Sequence, residues 1–236
     1  MNIQNQSEFD SRHDLFLHAA HELNTPLTSL VMATFLLKND KSNFESRQKF
    51  LNSVNVIERS CDRLQRTINN VILYHRLQQP NFPVYDQKLV EVLFLIRECA
   101  EKISNQQGRT GDVVFNFSLD SDVALLIPRE YFMVMINELI HNAFSFSEVG
   151  SKVIINYSLS NNFGIFSVTD FGIGMEKEEV SAIGAYTQFN RGILEQQGLG
   201  LGLTLVKQLT DKHFGELKIT SNKGKGTSVQ LCIPLY

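Results

Sequence analysis

Residues 21–27, with the sequence His-Glu-Leu-Asn-Thr-Pro-Leu, place a nucleophile, a carboxylate and a hydroxyl within two turns of one predicted helix. Imidazole titrates near neutrality, so His21 can act as an unprotonated nucleophile at cellular pH. Glu22 can take up its proton or hold its second ring nitrogen. Thr25 lies one turn later on the same face, and Pro26 cannot donate to the Glu22 carbonyl, so a bend is expected. Taken alone, the segment fits nucleophilic chemistry and a plain helix surface equally well.

Glu138 and Asn142 form a polar pair on a predicted helix that is otherwise largely apolar. Because they are four residues apart, both should project from one face, while the apolar residues of the helix pack on a sheet. An amide oxygen and a carboxylate that face a cleft would suit Mg²⁺ or its waters. A solvated helix flank is the alternative interpretation.

Asp170 ends a predicted strand and is followed by Gly172 and Gly174. A carboxylate at that point can accept a hydrogen bond from an exocyclic amine, and the glycines would let the backbone approach a ligand closely. An isolated Asp-x-Gly-x-Gly pattern is also compatible with an ordinary turn.

Gly198, Gly200 and Gly202 open another predicted helix, where backbone N–H groups and the helix dipole can hold phosphates. The dinucleotide-binding fingerprint is excluded because Leu203 occupies its last glycine position and no βαβ unit precedes it. A Walker A loop is excluded because no Gly-Lys-Ser/Thr follows.

The first third of the chain predicts two long helices that position residue 21. Glycine-free segments from about Glu8 to Lys38 and from Phe44 to about Gln79 carry apolar residues in steps of three or four. Joined by a turn at residues 39–43, they predict an antiparallel hairpin. A hairpin cannot bury its apolar stripe alone, so we expect a homodimer that completes a four-helix bundle.

Beyond a break at residues 80–83 the pattern becomes mixed α/β. Strands joined mostly as hairpins, with helices between them, predict a sheet with helices on one face. The expected domains are a hairpin at residues 1–80, a linker at 81–86 and an α/β domain at 87–236, so the fold class is α plus α/β. The predicted helices are 87–106, 128–146 and 200–214, and the predicted strands are 113–119, 123–126, 152–160, 163–170, 216–221 and 227–234.

Composition narrows the class of protein. The 236 residues are 43% apolar and 20% charged, with a net charge of −3. This balance argues against a nucleic-acid-binding surface and against a general binder of anionic membranes. Cys61, Cys99 and Cys232 are too few and too scattered for a disulfide framework or a zinc site, so we expect reduced thiols in a cytoplasmic protein. No apolar run has the length of a membrane span, so none is expected in this chain.

Taken together and in order, these motifs resemble those of the sensor histidine kinases of two-component systems, which carry a GHKL-type ATP-binding domain. The resemblance covers essentially the whole chain, and its specificity comes from six motifs in the right order and spacing. They are the H-box at 21–27, the N-box at 138–147, the first glycine box at 170–174, the F-box at 186–191, the second glycine box at 198–203 and a glycine–Thr signature at 224–227.

The resemblance implies roles for the hairpin residues. His21 would be the phosphoacceptor, with Nε2 attacking the γ-phosphate of ATP, and Glu22 would orient or deprotonate its ring. Thr25 matches the position that can place water for dephosphorylating a partner regulator. His18, outside the motif, is interpreted as a surface histidine.

The resemblance also implies an ATP and Mg²⁺ site in the second domain. Glu138 and Asn142 would belong to the ATP-binding residues, with Asn142 coordinating Mg²⁺. Asp170 would bind the adenine amino group with Thr227 nearby. Residues 176–197 would form a mobile lid over the nucleotide. The glycines Gly172, Gly174, Gly198, Gly200 and Gly202 would shape the pocket and lid, and Phe189 and Arg191 could clamp the nucleotide.

Two positions depart from the usual family pattern. Glu138 replaces the usual first Asn of the N-box, a replacement seen in some of these kinases and in GHKL ATPases. Ser145 replaces a basic residue that often follows the Mg²⁺-binding Asn, so a phosphate contact would come from elsewhere, from Arg191 or a lysine.

The implied function is ATP-dependent phosphorylation of His21, transfer to an aspartate of a response-regulator receiver domain, and phosphatase activity toward that regulator. Two alternatives remain open: a GHKL-type ATPase, which Glu138 favours, and a degenerate kinase that docks a regulator and removes its phosphate.

Overall fold

The computed structural model describes residues 3–39, 46–83, 87–118, 123–183 and 201–236. Within these ranges, the side chains of residues 3–18, 21, 39, 46–48 and 182 lie outside the description. The chain divides into two compact units, Met1–Arg76 and Leu77–Tyr236. None of the helices in the described ranges is both long enough and apolar enough to cross a membrane.

The first unit is built from α1 (Ile3–Asn39) and α2 (Ser46–Leu77), as the glycine-free segments predict. Glu22 of α1 contacts Arg63 of α2, whereas Thr28 to Leu36 share a groove with Asn52 to Val56. Contacts that advance along α1 therefore move back along α2, so the two helices are antiparallel. The predicted turn at 39–43 lies outside the described residues from 40 onward.

The helix α1 continues through Pro26, whose side chain is buried. Two hydroxyl groups just beyond the proline donate back to carbonyls of the preceding turn. Thr28 Oγ1 donates to the Asn24 carbonyl at 2.8 Å, and Ser29 Oγ donates to the Thr25 carbonyl at 3.2 Å. Bonds of this kind bend helices slightly, so this turn combines two helix-weakening features immediately after residue 21.

The second unit alternates helices and strands. Its helices are α3 (Val92–Gln107), a 3₁₀ turn (Thr110–Asp112), α4 (Arg129–Phe146), α5 (Lys177–Ala182) and α6 (Leu201–Lys212). Its strands are β1 (Lys88–Leu89), β2 (Val113–Phe117), β3 (Leu125–Leu126), β4 (Val153–Ser160), β5 (Phe163–Asp170), β6 (Glu216–Asn222) and β7 (Gly226–Pro234).

A five-stranded sheet in the order β2-β4-β5-β7-β6 forms one layer of this unit. The β2–β4 pair is parallel and the other pairs are antiparallel. Every second residue is buried along β5 and over Val153–Tyr157 of β4, which is the pattern of a sheet with one covered face. The helix α4 contacts α3, α6 and β5 and buries Phe132, Met135, Ile136 and Ile140 completely, so it is the centre of the core. The predicted helix-covered sheet is confirmed.

The elements differ from the sequence prediction most at the start of α3 and at α5, and the strand predicted at 123–126 covers only Leu125–Leu126. The helix predicted from residue 87 begins at Val92, because Lys88–Leu89 pairs with Leu125–Leu126 as a small antiparallel sheet. Glu91, with φ 64°, turns the chain between that strand and the helix. The short helix α5 was not predicted; it begins with a capping box in which the Glu176 amide donates to the Glu179 carboxylate at 2.7 Å.

The sheet has exposed side chains along its outer strand β6. Glu216, Lys218, Thr220 and Asn222 are exposed, and the residues between them are partly covered. The strand thus presents polar and charged groups at one edge of the described sheet.

Candidate active site

The proposed phosphoacceptor, His21, lies in α1, and its neighbour Glu22 is held by a residue of α2. Arg63 Nη2 donates to Glu22 Oε2 at 2.8 Å, and the glutamate side chain is largely covered. An arginine–carboxylate bond is charge-assisted and directional, so it fixes the orientation of Glu22 beside residue 21. The sequence does not indicate Arg63, because its partner lies 41 residues earlier in the chain.

Thr25 is exposed on the turn that follows His21. Its carbonyl accepts the Ser29 hydroxyl. An exposed hydroxyl four residues after the histidine lies on the same side of the helix, as the sequence spacing predicts.

Asp170 ends β5 on the covered face of the sheet and is 7% exposed. Its Oδ1 accepts the Gly172 amide at 2.9 Å. Burial raises the pKa of this carboxyl, and the Gly172 and Thr227 amides oppose that shift. A buried carboxylate that keeps acceptor capacity suits a ligand donor such as an exocyclic amine.

The loop after Asp170 is packed against the end of α4. A Cβ added at Gly172 would overlap the Phe146 carbonyl oxygen, which also accepts the Ile173 amide at 3.1 Å. The Ile173 carbonyl in turn accepts the Gly224 amide at 2.6 Å. The first glycine box is therefore hydrogen-bonded on one side to α4 and on the other to the loop between β6 and β7.

Ser221 joins the two strands beside this loop. Its Oγ accepts the Met175 amide at 2.8 Å, donates to the Gly226 carbonyl at 3.1 Å and lies 2.8 Å from Thr227 Oγ1. Gly226 has φ 98°, and a Cβ there would overlap the Asp170 carbonyl. Thr227 is thus placed next to Asp170, while Ser221 is a site-forming residue that the motif pattern did not indicate.

The N-box pair on α4 divides into two environments. Asn142 is half-buried, whereas Glu138 is 5% exposed. A Cβ added at Gly202, in the first turn of α6, would overlap Glu138 Oε2. A carboxylate near a helix N-terminus is stabilised by the helix dipole, so Glu138 is well placed to hold α6 on α4.

Several predicted site residues cannot be placed. Phe189 and Arg191, the F-box at 186–191, and Gly198 and Gly200 lie outside the described residues. Of the lid predicted at residues 176–197, the structure describes the part up to residue 183, which contains α5. Gly172, Gly174, Gly202 and Thr227 are all described.

The residues present fit a magnesium ion carried in with a nucleotide. In the described ranges no three His, Cys, Asp or Glu side chains lie close enough together to hold a metal ion by themselves. Mg²⁺ with a nucleotide typically takes one or two protein ligands and the phosphates, so a side chain such as that of Asn142 meets the need.

The fold and the site define a class of protein: a helical hairpin with a histidine–glutamate pair, joined to an ATPase-type domain. Residues 11–80 match the His Kinase A (phospho-acceptor) domain, and residues 129–236 match the histidine kinase-, DNA gyrase B- and HSP90-like ATPase family. The chain belongs to the sensor histidine kinases of two-component systems. Its second unit is accordingly an ATP-binding domain of that family.

Curated relatives agree with this assignment, and a solved structure shares the fold. The autoinducer 2 sensor kinase/phosphatase LuxQ of Vibrio harveyi is 24% identical over 95% of this chain and 26% of its own length. The circadian input-output histidine kinase CikA of Synechococcus elongatus is 29% identical over 91% of this chain and 29% of its own length. The structure of full-length ShkA in complex with AMPPNP superposes with a TM-score of 0.62, at 24% identity, over 94% of this chain and 46% of that one. The chain spans about a quarter to a half of the length of such curated relatives.

Proposed function

We propose that this chain phosphorylates itself on His21 with ATP and passes the phosphoryl group to an aspartate of a response-regulator receiver domain. Residues 1–80 would form the phosphotransfer and dimerisation domain, and residues 87–236 the nucleotide-binding domain. Phosphatase activity toward the same regulator, with Thr25 positioning water, belongs to this proposal. A homodimer through the hairpin is its structural counterpart.

The observation that carries the proposal is the pairing of two sites in one chain. Glu22, next to His21, is oriented by Arg63, and the second unit has a buried carboxylate at Asp170 surrounded by glycines. A nucleophile without a nucleotide pocket would have no phosphoryl donor. A nucleotide-binding domain that needed no nucleophile would not account for the histidine–glutamate pair on the hairpin.

In the proposed reaction, Nε2 of His21 forms a bond to the γ-phosphorus of ATP while the bond to the β,γ-bridging oxygen breaks and ADP leaves. The ring proton on Nδ1 is then shared with Glu22, which Arg63 holds in place. Phosphoryl transfer depends mainly on positioning and charge neutralisation, so fixed orientation of this pair supplies much of the catalysis.

Mg²⁺, when bound, would neutralise the phosphate charge, and Asn142 is the residue that would hold it. Asp170 would accept a hydrogen bond from the adenine amino group, with Thr227 beside it. Glu138 is buried against Gly202, which supports a packing role rather than the water activation that an ATPase would require.

Incubation of the full chain with γ-labelled ATP tests the proposal. We expect label on the protein that is lost in acid and stable in base, as for a phosphohistidine. His21→Ala should abolish the label. His18→Ala is the matched control, since it removes an imidazole one turn earlier in the same helix, and it should keep the label.

The outcomes separate the alternatives. Label that survives in His21→Ala overturns the assignment of the phosphoacceptor. Release of free phosphate without labelled protein would indicate an ATPase, and neither product would indicate a regulator-docking module. Labelled protein mixed with receiver domains should lose its label to the cognate domain within minutes.

A further inference from the structure

Arg109 is a buried arginine that none of the motifs contains. It follows α3 directly, after Gly108, and is 4% exposed. A buried arginine is rare unless its charge and its N–H groups are all satisfied. The hydrogen-bond partners of Arg109 therefore identify the parts of the chain that it stabilises.

The guanidinium donates almost entirely to the end of α4 and the loop that follows. Six oxygen atoms share its five N–H groups, at distances from 2.6 to 3.2 Å. They are Asp112 Oδ2, the carbonyls of Phe144, Ser147, Glu148 and Ser151, and Ser147 Oγ. The guanidinium carbon also lies 4.9 Å from the centre of the Phe144 ring.

These bonds replace a conventional helix C-cap. The last four carbonyls of a helix have no partner within it, and many helices end on a glycine that turns the chain back. The helix α4 instead ends at Phe146 and is followed by Ser147 in an extended conformation. Arg109 satisfies carbonyls at and beyond this end, and its positive charge complements the helix dipole.

Asp112 completes the arrangement. It accepts Arg109 Nε at 2.7 Å and the Gly150 amide at 3.0 Å, so it ties the loop after α4 to the same cluster. The Arg109 hydrogen bond and the Gly150 amide hold the pKa of this carboxyl below its usual value.

The end of α4 that Arg109 holds is the part that contacts the first glycine box. The Phe146 carbonyl lies between the Phe144 and Ser147 carbonyls that Arg109 binds, and it accepts the Ile173 amide at 3.1 Å. It also lies against Gly172. Asn142 is one turn earlier on the same helix, so a shift of this end would move both nucleotide-contacting elements.

We infer that Arg109 is a positioning residue for the nucleotide site: by anchoring the C-terminal end of α4, it sets Asn142 and the Gly172–Gly174 loop relative to each other. This inference rests on the proposed function, because it assumes that the pocket binds ATP. Lysine cannot replace Arg109, since three donors on one nitrogen cannot match six acceptors spread around a planar fork.

Nucleotide affinity of the full chain tests the inference. Arg109→Lys and Arg109→Ala should weaken binding of Mg·ATP, measured by calorimetry, by about ten- to a hundredfold, the range seen when support of a metal ligand is removed. A purely structural role would lower the number of binding sites and leave the dissociation constant of the remaining folded molecules unchanged. Guanidinium ion at millimolar concentration should restore part of the affinity of Arg109→Ala, whereas methylammonium should not.

Two further variants keep the inference open to refutation if Arg109 variants fail to fold. Asp112→Asn retains the size of the side chain and should give a smaller loss of affinity in the same direction. Arg97→Ala is the matched control, because Arg97 belongs to α3 and stacks on Phe115 and Phe117 of β2, and its loss should leave affinity unchanged. Wild-type protein that binds no ATP would refute the proposed function. Wild-type binding with unchanged affinity in folded Arg109→Lys or Asp112→Asn would refute this inference alone.

Discussion

The two units of the chain bury their apolar residues to very different extents. In the second unit α4 and the sheet enclose a core in which Phe132, Tyr157 and Phe166 are almost completely inaccessible. In the hairpin, by contrast, large apolar side chains of both helices are exposed, among them Leu27, Val31, Phe35, Phe50 and Ile72. Exposed apolar patches of this kind mark interaction surfaces.

The two units therefore differ in how they bury apolar surface. The second unit has what it needs to fold as a closed domain around a site fixed by hydrogen bonds. The hairpin leaves large apolar side chains exposed, so we expect it to pair with a partner surface, as in the proposed homodimer.

Removal of an aromatic ring from the core should show the difference between the two units most clearly. Phe132→Ala should destabilise the second unit by about 3–5 kcal/mol at every protein concentration, because it leaves a cavity. Phe35→Ala, at a position 59% exposed, should instead affect a transition of the hairpin that depends on protein concentration, as expected for a dimer. Thermal unfolding at several concentrations measures both. An effect of Phe35→Ala that does not change with concentration would contradict the open-hairpin interpretation.

The first glycine box in the second unit should be packed as densely as the core, so an added methyl group should be poorly tolerated. Gly172→Ala would drive a methyl group into the Phe146 carbonyl, which should cost about 1–3 kcal/mol and weaken ATP binding together with stability. Gly111→Ala is the control, since no described atom lies within 4 Å of its added Cβ. Denaturant unfolding and nucleotide titration provide the two measurements, and equal behaviour of the variants would show that the glycine box is more adaptable than its contacts indicate.

Loss of the Arg63–Glu22 ion pair should hardly change the stability of the hairpin but should slow the phosphorylation reaction. Arg63→Ala should change the free energy of unfolding by at most about 1 kcal/mol, because the arginine is partly exposed. It should slow phosphorylation of His21 severalfold, because Glu22 loses its orientation. Lys207→Ala removes an exposed pair with Asp211 in the second unit and should leave the rate unchanged. An unaltered rate in Arg63→Ala would show that Glu22 does not depend on this contact.

The smallest expected effect is a pH dependence of the stability of the second unit that arises from His213. Burial lowers the pKa of His213, whose Nδ1 donates to the Leu209 carbonyl at 2.8 Å. The unfolded chain therefore takes up a proton as the pH falls below about 6.5, while the folded chain does not. Stability should fall between that pH and the lower folded pKa, and His213→Gln should flatten the dependence. Unfolding midpoints across this range test the expectation, and an unchanged slope in the variant would assign the effect to other groups.

Sequence patterns predicted much of the fold because periodicity reports burial. The long helices, the α4 face and the alternating strands all follow from spacing, and they are confirmed by the structure. The strand Lys88–Leu89 was missed because two residues carry no period. The predicted start of α3 was too early because it included this strand. The helix begins only after Glu91, whose left-handed conformation turns the chain.

The sequence indicated site residues only where the residues that act together are also close together in the chain. Asp170 and its glycines stand together in sequence, so the pattern indicated them. Arg109, Arg63 and Ser221 act through partners that are distant in sequence or that are backbone groups, which carry no signature in residue type. Their contacts, on which the proposed positioning roles rest, are visible only in the tertiary structure. The roles assigned to the motif residues themselves remain predictions.

The polar outer strand β6 has a consequence for how the protein behaves at high concentration. An unpaired edge of a sheet is a template on which other chains can add strands and form aggregates. In β6 the exposed Glu216 and Lys218 make such growth unfavourable, because an incoming strand would have to desolvate charged groups. The chain can then associate through the exposed apolar residues of its hairpin without also adding strands at β6.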